Sequence, residues 1–326
     1  MNKLPTSRHE NASQITTEHF VHPHPLKTAV LFLAFNRPDT TKQVFEAIRK
    51  AKPPRLYVAA DGPRADKAGE AEKVKQVRRI ATQVDWDCEV KTLFRDKNLG
   101  CGKAVSSAIT WFFENEEEGI ILEDDCLPGQ SFFWFCEELL ERYRGDMRVW
   151  HIGGYKHFGL GRDKFSYNFS FYTPIWGWAT WRRAWKYYDL NLTNYQIFRN
   201  WLGSYNLFSS QKEINRRKTI LDKVCSGSID TWDYQWNFCV RSNSGLSIRP
   251  SRNLVENIGF GNNATHTISK NKGINSAVKY ELEFPLMHPN LFWVNAKLDQ
   301  NFFNTHVSNS IAKRIIMRLS NLFNRS

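Results

Sequence analysis

Residues 119–125 read Gly-Ile-Ile-Leu-Glu-Asp-Asp, an apolar run that stops on three consecutive acids. Gly119–Leu122 is short, branched and flanked by punctuation, which predicts a buried parallel strand. In an open α/β sheet ligands bind beyond the carboxyl ends of the strands, so Glu123, Asp124 and Asp125 fall where a ligand would sit. Hard divalent cations such as Mg²⁺ and Mn²⁺ prefer carboxylate oxygen and commonly share it with substrate phosphates. The cluster therefore predicts a site for a metal–diphosphate pair. A plainer role, one acid capping the helix beyond Pro128, accounts for one carboxylate and leaves the others unexplained.

A second acidic pair, Asp230 and Asp233, lies beside Trp232, Tyr234 and Trp236. A carboxylate partly desolvated by aromatic rings has a raised pKa and can act as a general base. Either Asp fits that role, and either suits the start of a helix. Arg37 and Asp61 follow two earlier apolar runs, so as strand-end residues they would point into the same crevice.

The elements that must position these groups begin near Thr28. Ala29–Phe35 reads as a central parallel strand, followed by a helix with Asn36 as its cap, Pro38 in its first turn and Val44, Phe45 and Ile48 on its buried face. Arg55–Ala60 is a second strand, ending in the turn Asp61-Gly62-Pro63. A charged helix over Lys67–Val84, a strand over Glu89–Phe94 and a helix over Lys103–Phe113 come next. The acid-tipped strand and a helix over Ser131–Tyr143 complete the alternation, which predicts a doubly wound, Rossmann-like α/β sheet flanked by helices. No Gly-x-Gly-x-x-Gly and no Walker loop follows a strand. From about Met147 the chain becomes rich in aromatics, with Trp150, Trp176, Trp178, Trp181, Trp185, Trp201, Trp232 and Trp236; most belong in a core, and any exposed ones suit sugar rings.

A net charge of +12 and a pI near 9.4 favour anionic partners, with nucleotide-sugars, lipid headgroups and nucleic acid all eligible. Cys88, Cys101, Cys126, Cys136, Cys225 and Cys239 show no Cys-x-x-Cys spacing, which argues against a zinc ribbon and fits a reducing compartment. No apolar run reaches the ~20 residues of a membrane span, and no signal-peptide core is visible, so the expected location is the cytoplasm. Residues 1–26, with His9, His19, His22 and His24, read as a loose leader. Residues 301–326 read as a basic tail in which Ile311, Ile315, Ile316, Leu319, Leu322 and Phe323 recur at helical spacing among Lys313, Arg314, Arg318 and Arg325. Such a helix either lies on an anionic membrane surface or packs on the domain.

From Thr28 to Thr267 the ordered motifs resemble GT-A glycosyltransferases of the N-acetylglucosaminyltransferase I type and their bacterial relatives. The resemblance is carried by Phe35-Asn36-Arg37-Pro38, Ala60-Asp61-Gly62, Asn98-Leu99-Gly100 with Lys103, Glu123-Asp124-Asp125, Ile175-Trp176-Gly177-Trp178, Trp232-Asp233, and Arg249-Pro250-Ser251-Arg252 through Gly259-Phe260-Gly261 to His266. It implies a GT-A fold, with a nucleotide-sugar-binding half over 27–152 and an acceptor and catalytic half over 153–300. It also implies a metal-dependent, inverting transfer of a hexosyl or N-acetylhexosaminyl unit. The donor would be a nucleoside-diphosphate sugar, UDP favoured, and the acceptor a hydroxyl of a bacterial surface glycan or lipid-linked saccharide. Asp125 would hold Mn²⁺ or Mg²⁺ with His266 as a further ligand, and Asp233 would be the base in preference to Asp230. Arg37, Asp61, Lys103, Glu123, Asp124 and Trp178 would bind the nucleotide-sugar, and Arg249 and Arg252 could neutralise phosphate.

Two other classes compete. A sugar-phosphate nucleotidyltransferase should carry a Gly-rich basic segment after the first strand, and Phe35-Asn36-Arg37-Pro38-Asp39 is not one. A basic glycan- or nucleic-acid-binding module should gather its cations over one domain, whereas here they are spread and densest in the tail, so no nucleic-acid partner is expected.

Overall fold

The computed structural model describes residues 20–156, 164–204, 208, 210–259 and 278–308. The first half runs β1 (Val30–Ala34), α1 (Pro38–Ala51), β2 (Arg55–Ala60), α2 (Glu70–Ala81), β3 (Glu89–Phe94), α3 (Cys101–Asn115), β4 (Glu118–Glu123), β5 (Cys126–Pro128), α4 (Ser131–Tyr143) and β6 (Val149–Gly153). The second half adds β7 (Tyr167–Ser170), β8 (Trp178–Trp181), α5 (Arg182–Trp185), α6 (Thr193–Phe198), α7 (Gln211–Cys225), α8 (Asp233–Ser242), β9 (Leu246–Pro250), β10 (Val255–Asn257) and α9 (Ala296–Phe302).

Eight strands form one sheet in the order β3-β2-β1-β4-β8-β6-β9-β7. β3, β2, β1 and β4 run parallel, β8 is antiparallel to both β4 and β6, β9 is parallel to β6, and β7 is antiparallel to β9. The apolar run of β1 follows from this position, because a central strand is covered on both faces. Its alternate residues divide between two layers: Val30 and Phe32 pack with residues of α1 and α4, while Leu31 and Leu33 pack with residues of α3 and α8. The sheet is continuous across both halves of the chain, so the acidic tip of β4 lies next to strands of the aromatic-rich half. Six of the eight aromatic-half Trp named above are buried, Trp176 is partly buried and Trp201 is exposed.

β10 pairs antiparallel with β5, placing Asn257 opposite Cys126. This ribbon carries the chain back over the acidic tip, where the Ile258 amide donates to the Asp125 carbonyl at 2.8 Å.

Several elements depart from expectation. α2 is shorter than the Lys67–Val84 pattern, ending at Ala81. Asn36 does not cap α1; its Nδ2 donates to Glu70 Oε1 at 2.8 Å, and Arg37 occupies the cap position without a side-chain bond. The reason is that Glu70 is a buried carboxylate needing donors, which Asn36 and Arg64 supply. Within residues 20–26, Leu26 is buried, Phe20 and His22 pack on Trp134, and residues 21–25 are exposed. The amphipathic pattern after Ser308 and the leader before Phe20 lie outside the described residues. No described helix is long and apolar enough to cross a membrane.

Candidate active site

A cleft of about 280 Å³ opens beyond the carboxyl ends of β1, β2 and β4, beside the N-terminus of α3, and Arg37, Asp61, Arg64, Arg95, Glu123, Asp124 and Asp230 line it. The parallel order of these strands explains why residues so far apart in sequence meet there.

Arg37 joins the first strand loop to the acidic tip. Its Nη1 donates to Asp125 Oδ2 at 2.8 Å, and its Nη2 makes a short ion pair with Asp124 Oδ1. Asp124 is only 2% exposed, and its second oxygen accepts from the Phe35 amide at 3.0 Å. Burial works against the guanidinium charge, but the two aspartates overcome it and raise the Arg37 pKa. Burial likewise raises Asp124, while Arg37 opposes that shift. Asp125 is the more open of the pair, with 14% of its side chain exposed against 3% for Asp124. At Gly259 the returning chain touches this pair, where a Cβ would stand 2.2 Å from Asp125 Oδ2 and 2.8 Å from Arg37 Nη1. A side chain there would require Asp125 and Arg37 to move.

Glu123 is half-buried, and its Oε1 is sealed from solvent with no hydrogen-bond partner among the described residues. Burial, then the charges of Asp125 and Asp124, push its pKa from 4.5 up to about 8. A carboxyl whose folded-state pKa is raised adds stability that is complete below its unfolded value near 4.5 and is lost as pH rises through about 8. Glu123→Gln keeps the shape and removes that loss. Thermal melts are therefore expected to show a Tm gain for Glu123→Gln of roughly 3 °C or more at pH 8, shrinking towards zero at pH 5. A gain that is the same at both pH values would contradict a protonatable Glu123.

Asp61 is held by the segment that enters α3. It accepts from the Gly62 amide at 2.9 Å, the Leu99 amide at 3.0 Å and Asn98 Nδ2 at 2.9 Å. Burial raises its pKa, and the amides of Leu99, Gly62 and Gly100 counter the shift. The carboxylate is thus fixed at the cleft wall.

Asp230 and Asp233, equivalent candidates by chemistry, have separate roles in the structure. Asp230 accepts from the amides of Cys101 at 2.7 Å and Gly102 at 2.8 Å, satisfying the first turn of α3 from a loop 129 residues away. Gly100, at φ +81°, and Gly102 leave the space: a Cβ on either would lie 2.5 Å or 2.8 Å from an Asp230 oxygen. With both oxygens engaged as a cap, Asp230 is a structural link between the loop and α3. Asp233 opens α8 as its first residue, with Trp232 rather than either Asp at the cap position. Thr231 Oγ1 makes a short hydrogen bond to Asp233 Oδ1, and burial raises the Asp233 pKa against that bond. Asp233 is not among the cleft-lining residues; it lies three residues after Asp230, which is.

Trp178 does not face the cleft: it is 0% exposed, stacked between His151 at 5.1 Å and Trp232 at 5.5 Å. Its strand, β8, lies between two others with both faces covered, so no residue on it can present a ring to a sugar. Lys103 sits exposed in the first turn of α3 and is not among the cleft-lining residues. Arg249 is buried on β9, 4.0 Å from Asp299, which assigns its charge to an internal ion pair. Arg252 is exposed, and His266 lies outside the described residues. Arg64, Arg95 and Cys101 line the cleft without having been singled out; the turn at Asp61-Gly62-Pro63 and the end of β3 were the signals available for the two arginines.

No three metal-type side chains converge among the described residues. A cation here would take Asp125 as its protein carboxylate and draw its other oxygens from a ligand, the manner in which Mg²⁺ is commonly held with substrate phosphates.

Helices on both faces of a mostly parallel sheet, with a polar cleft at the carboxyl ends of its strands, define a Rossmann-like α/β protein. No protein-family description matches the chain, and no curated protein matches it in sequence. Solved structures with partial likeness include HddC from Yersinia pseudotuberculosis, at TM-score 0.31 and 10% identity over 48% of this chain and 78% of that one. The inositol-1-phosphate CTP transferase from T. maritima aligns at TM-score 0.29 and 11% identity over 49% of this chain and 73% of that one. The glycosyltransferase GlyE of Streptococcus pneumoniae TIGR4 aligns at TM-score 0.29 and 13% identity, over 65% of this chain and 47% of that one. The functional assignment therefore rests on the cleft itself.

Proposed function

We propose that this chain is a transferase that uses a nucleotide-sugar, and specifically a GT-A glycosyltransferase that moves the sugar to a hydroxyl. One observation carries the reading. Arg37, Asp61, Glu123 and Asp124 come from three neighbouring strand ends to one cleft, Arg37 ties Asp125 to its edge, and Asp233 lies three residues after Asp230, which lines it. The chemistry needs a stabilised diphosphate leaving group, an activated hydroxyl, and both in line. Arg37, Arg64 and Arg95 place cationic groups along the cleft for the phosphates. When a divalent cation is bound at Asp125, it supplies Lewis-acid stabilisation of the charge on the departing diphosphate. Asp233 removes the proton from the acceptor hydroxyl, and a single displacement inverts the anomeric centre. The resemblance at Asp61 favours UDP as the carrier, and the resemblance of the chain as a whole favours a bacterial surface glycan or lipid-linked saccharide as acceptor.

The test is a panel of nucleoside-diphosphate sugars scored by thermal stabilisation, with Mn²⁺ and with EDTA. One donor is expected to raise Tm by several degrees, since ligand at a hundredfold excess over Kd contributes about 2.7 kcal/mol. The shift should need the cation and vanish in Asp125→Ala. A panel without any shift, beside salt-sensitive binding to DNA, would favour the nucleic-acid module instead.

A further inference from the structure

We infer that α6 and α7 form a membrane-surface element that seats this protein on an anionic bilayer. α6 and the turn after it expose Ile197 at 61%, Phe198 at 40% and Trp201 at 56%, while their own contacts to the protein run through Tyr195, which is 1% exposed. Tyr195 Oη donates to Asp222 Oδ1 at 2.7 Å, and Arg199 grips the same carboxylate through two bonds of 2.6 Å. α6 is thus fixed to the flank of α7 with its apolar side chains facing outward. That arrangement holds large apolar groups in water, which a soluble surface otherwise avoids.

The charge beside them names the occupant. Between Lys186 and Lys223 the chain carries seven Lys and Arg against three Asp and Glu. All three acids are already used: Asp222 pairs with Arg199, Glu213 is buried against Arg241, and Asp189 accepts from the amides of Asn191 and Thr193. Lys212, Lys218 and Lys223 form no ion pair among the described residues. On α7 the buried face is Ile214, Arg217, Ile220 and Leu221. Lys212 and Lys223 share one face of α7 at helical spacing, away from the buried face. Exposed Trp and Phe beside unpaired Lys is the chemistry of the lipid headgroup boundary, where the rings enter the interface and the cations meet anionic lipid. A protein partner would more naturally provide acids for the cations and leave fewer of them together with aliphatic tips. The surface is argued from residues before Ser308 and outside the cleft, and α7 leads into the segment that carries Asp230 and the start of α8 at Asp233.

The experiment is co-sedimentation of the full chain with vesicles of phosphatidylcholine containing 30% phosphatidylglycerol, as a rough physiological mimic, and with pure phosphatidylcholine. The full chain is expected to bind the anionic vesicles and to release them as salt is raised. Full-length Ile197→Ser/Trp201→Ser should bind at least roughly tenfold more weakly while its Tm stays unchanged. Full-length Lys212→Gln/Lys223→Gln should lose the preference for phosphatidylglycerol. Binding equal to wild type in the apolar double variant overturns the inference and leaves the tail as the membrane element. So does a wild-type chain that ignores both vesicles, or one whose concentration-dependent dimerisation is abolished by the same substitutions, which assigns the patch to a second copy.

Discussion

Asp233→Asn is expected to lower sugar transfer by about 10²–10⁴-fold while nucleotide binding persists. The substitution is nearly isosteric and keeps an oxygen to accept from Thr231 Oγ1, so α8 should start as it does now. What disappears is the only proton acceptor at that position. Burial raises the Asp233 pKa, so the acid limb of the wild-type rate profile should lie above the usual aspartate range, activity falling as pH drops through it. Transfer rates from pH 4 to 8 and thermal stabilisation by the donor separate the two effects. Asp230→Asn provides the contrast: it replaces one of two amide acceptors at the α3 start, and its expected cost is about 1 kcal/mol of stability with most of the transfer retained. If Asp230→Asn were the inactive variant and Asp233→Asn the competent one, the base would have to be reassigned.

The parallel half of the fold was legible because burial on both faces demands unbroken apolar runs. β1, β2 and β3 fall within the runs read from sequence, β4 extends its run by one residue at each end, and α4 has the same ends as its pattern. Strand ends then located the cleft, since ligand groups in such sheets come from the residues just beyond the apolar stretch. Pairings over long separations were not legible. Nothing local signals that Arg37 grips carboxylates 87 and 88 residues away, or that Asp230 completes a helix that starts 129 residues earlier. Trp178 misled for the same reason: its neighbours in sequence suit a sugar-binding loop, while its neighbours in space are His151, Trp232 and Trp236. Asn36 shows the limit of local capping rules, because a buried Glu70 claimed its amide group. The exposed edge of α6 was hidden too, since six residues with one Tyr, one Ile and one Phe carry no helical period long enough to reveal which face is outside.

Arg37→Ala should be the most destabilising single change at the cleft, by about 3–5 kcal/mol, because it strips the counter-charge from buried carboxylates rather than merely losing a contact. Asp124 and Asp125 would then face each other and Glu123 with the Phe35 amide and the Cys126 thiol as their remaining donors among the described residues. Burial already raises the Asp124 pKa, and without Arg37 to oppose it that pKa must rise further. With the folded-state value raised, the variant keeps its stability at low pH, where this carboxyl holds its proton, and loses it as pH climbs. The Tm deficit relative to wild type should therefore be small near pH 5 and large near pH 8. Arg37→Lys keeps a charge but not the planar fork that reaches both aspartates, so it should fall between the two. Adding Mn²⁺ tests the cation site by a route that needs no turnover. If Asp125 accepts a divalent ion, Mn²⁺ should restore part of the Tm lost in Arg37→Ala at pH 8 and do so less in Arg37→Ala/Asp125→Asn. Equal rescue in both variants would place the ion elsewhere, and no rescue in either would leave Arg37 as the sole counter-cation of the acidic tip.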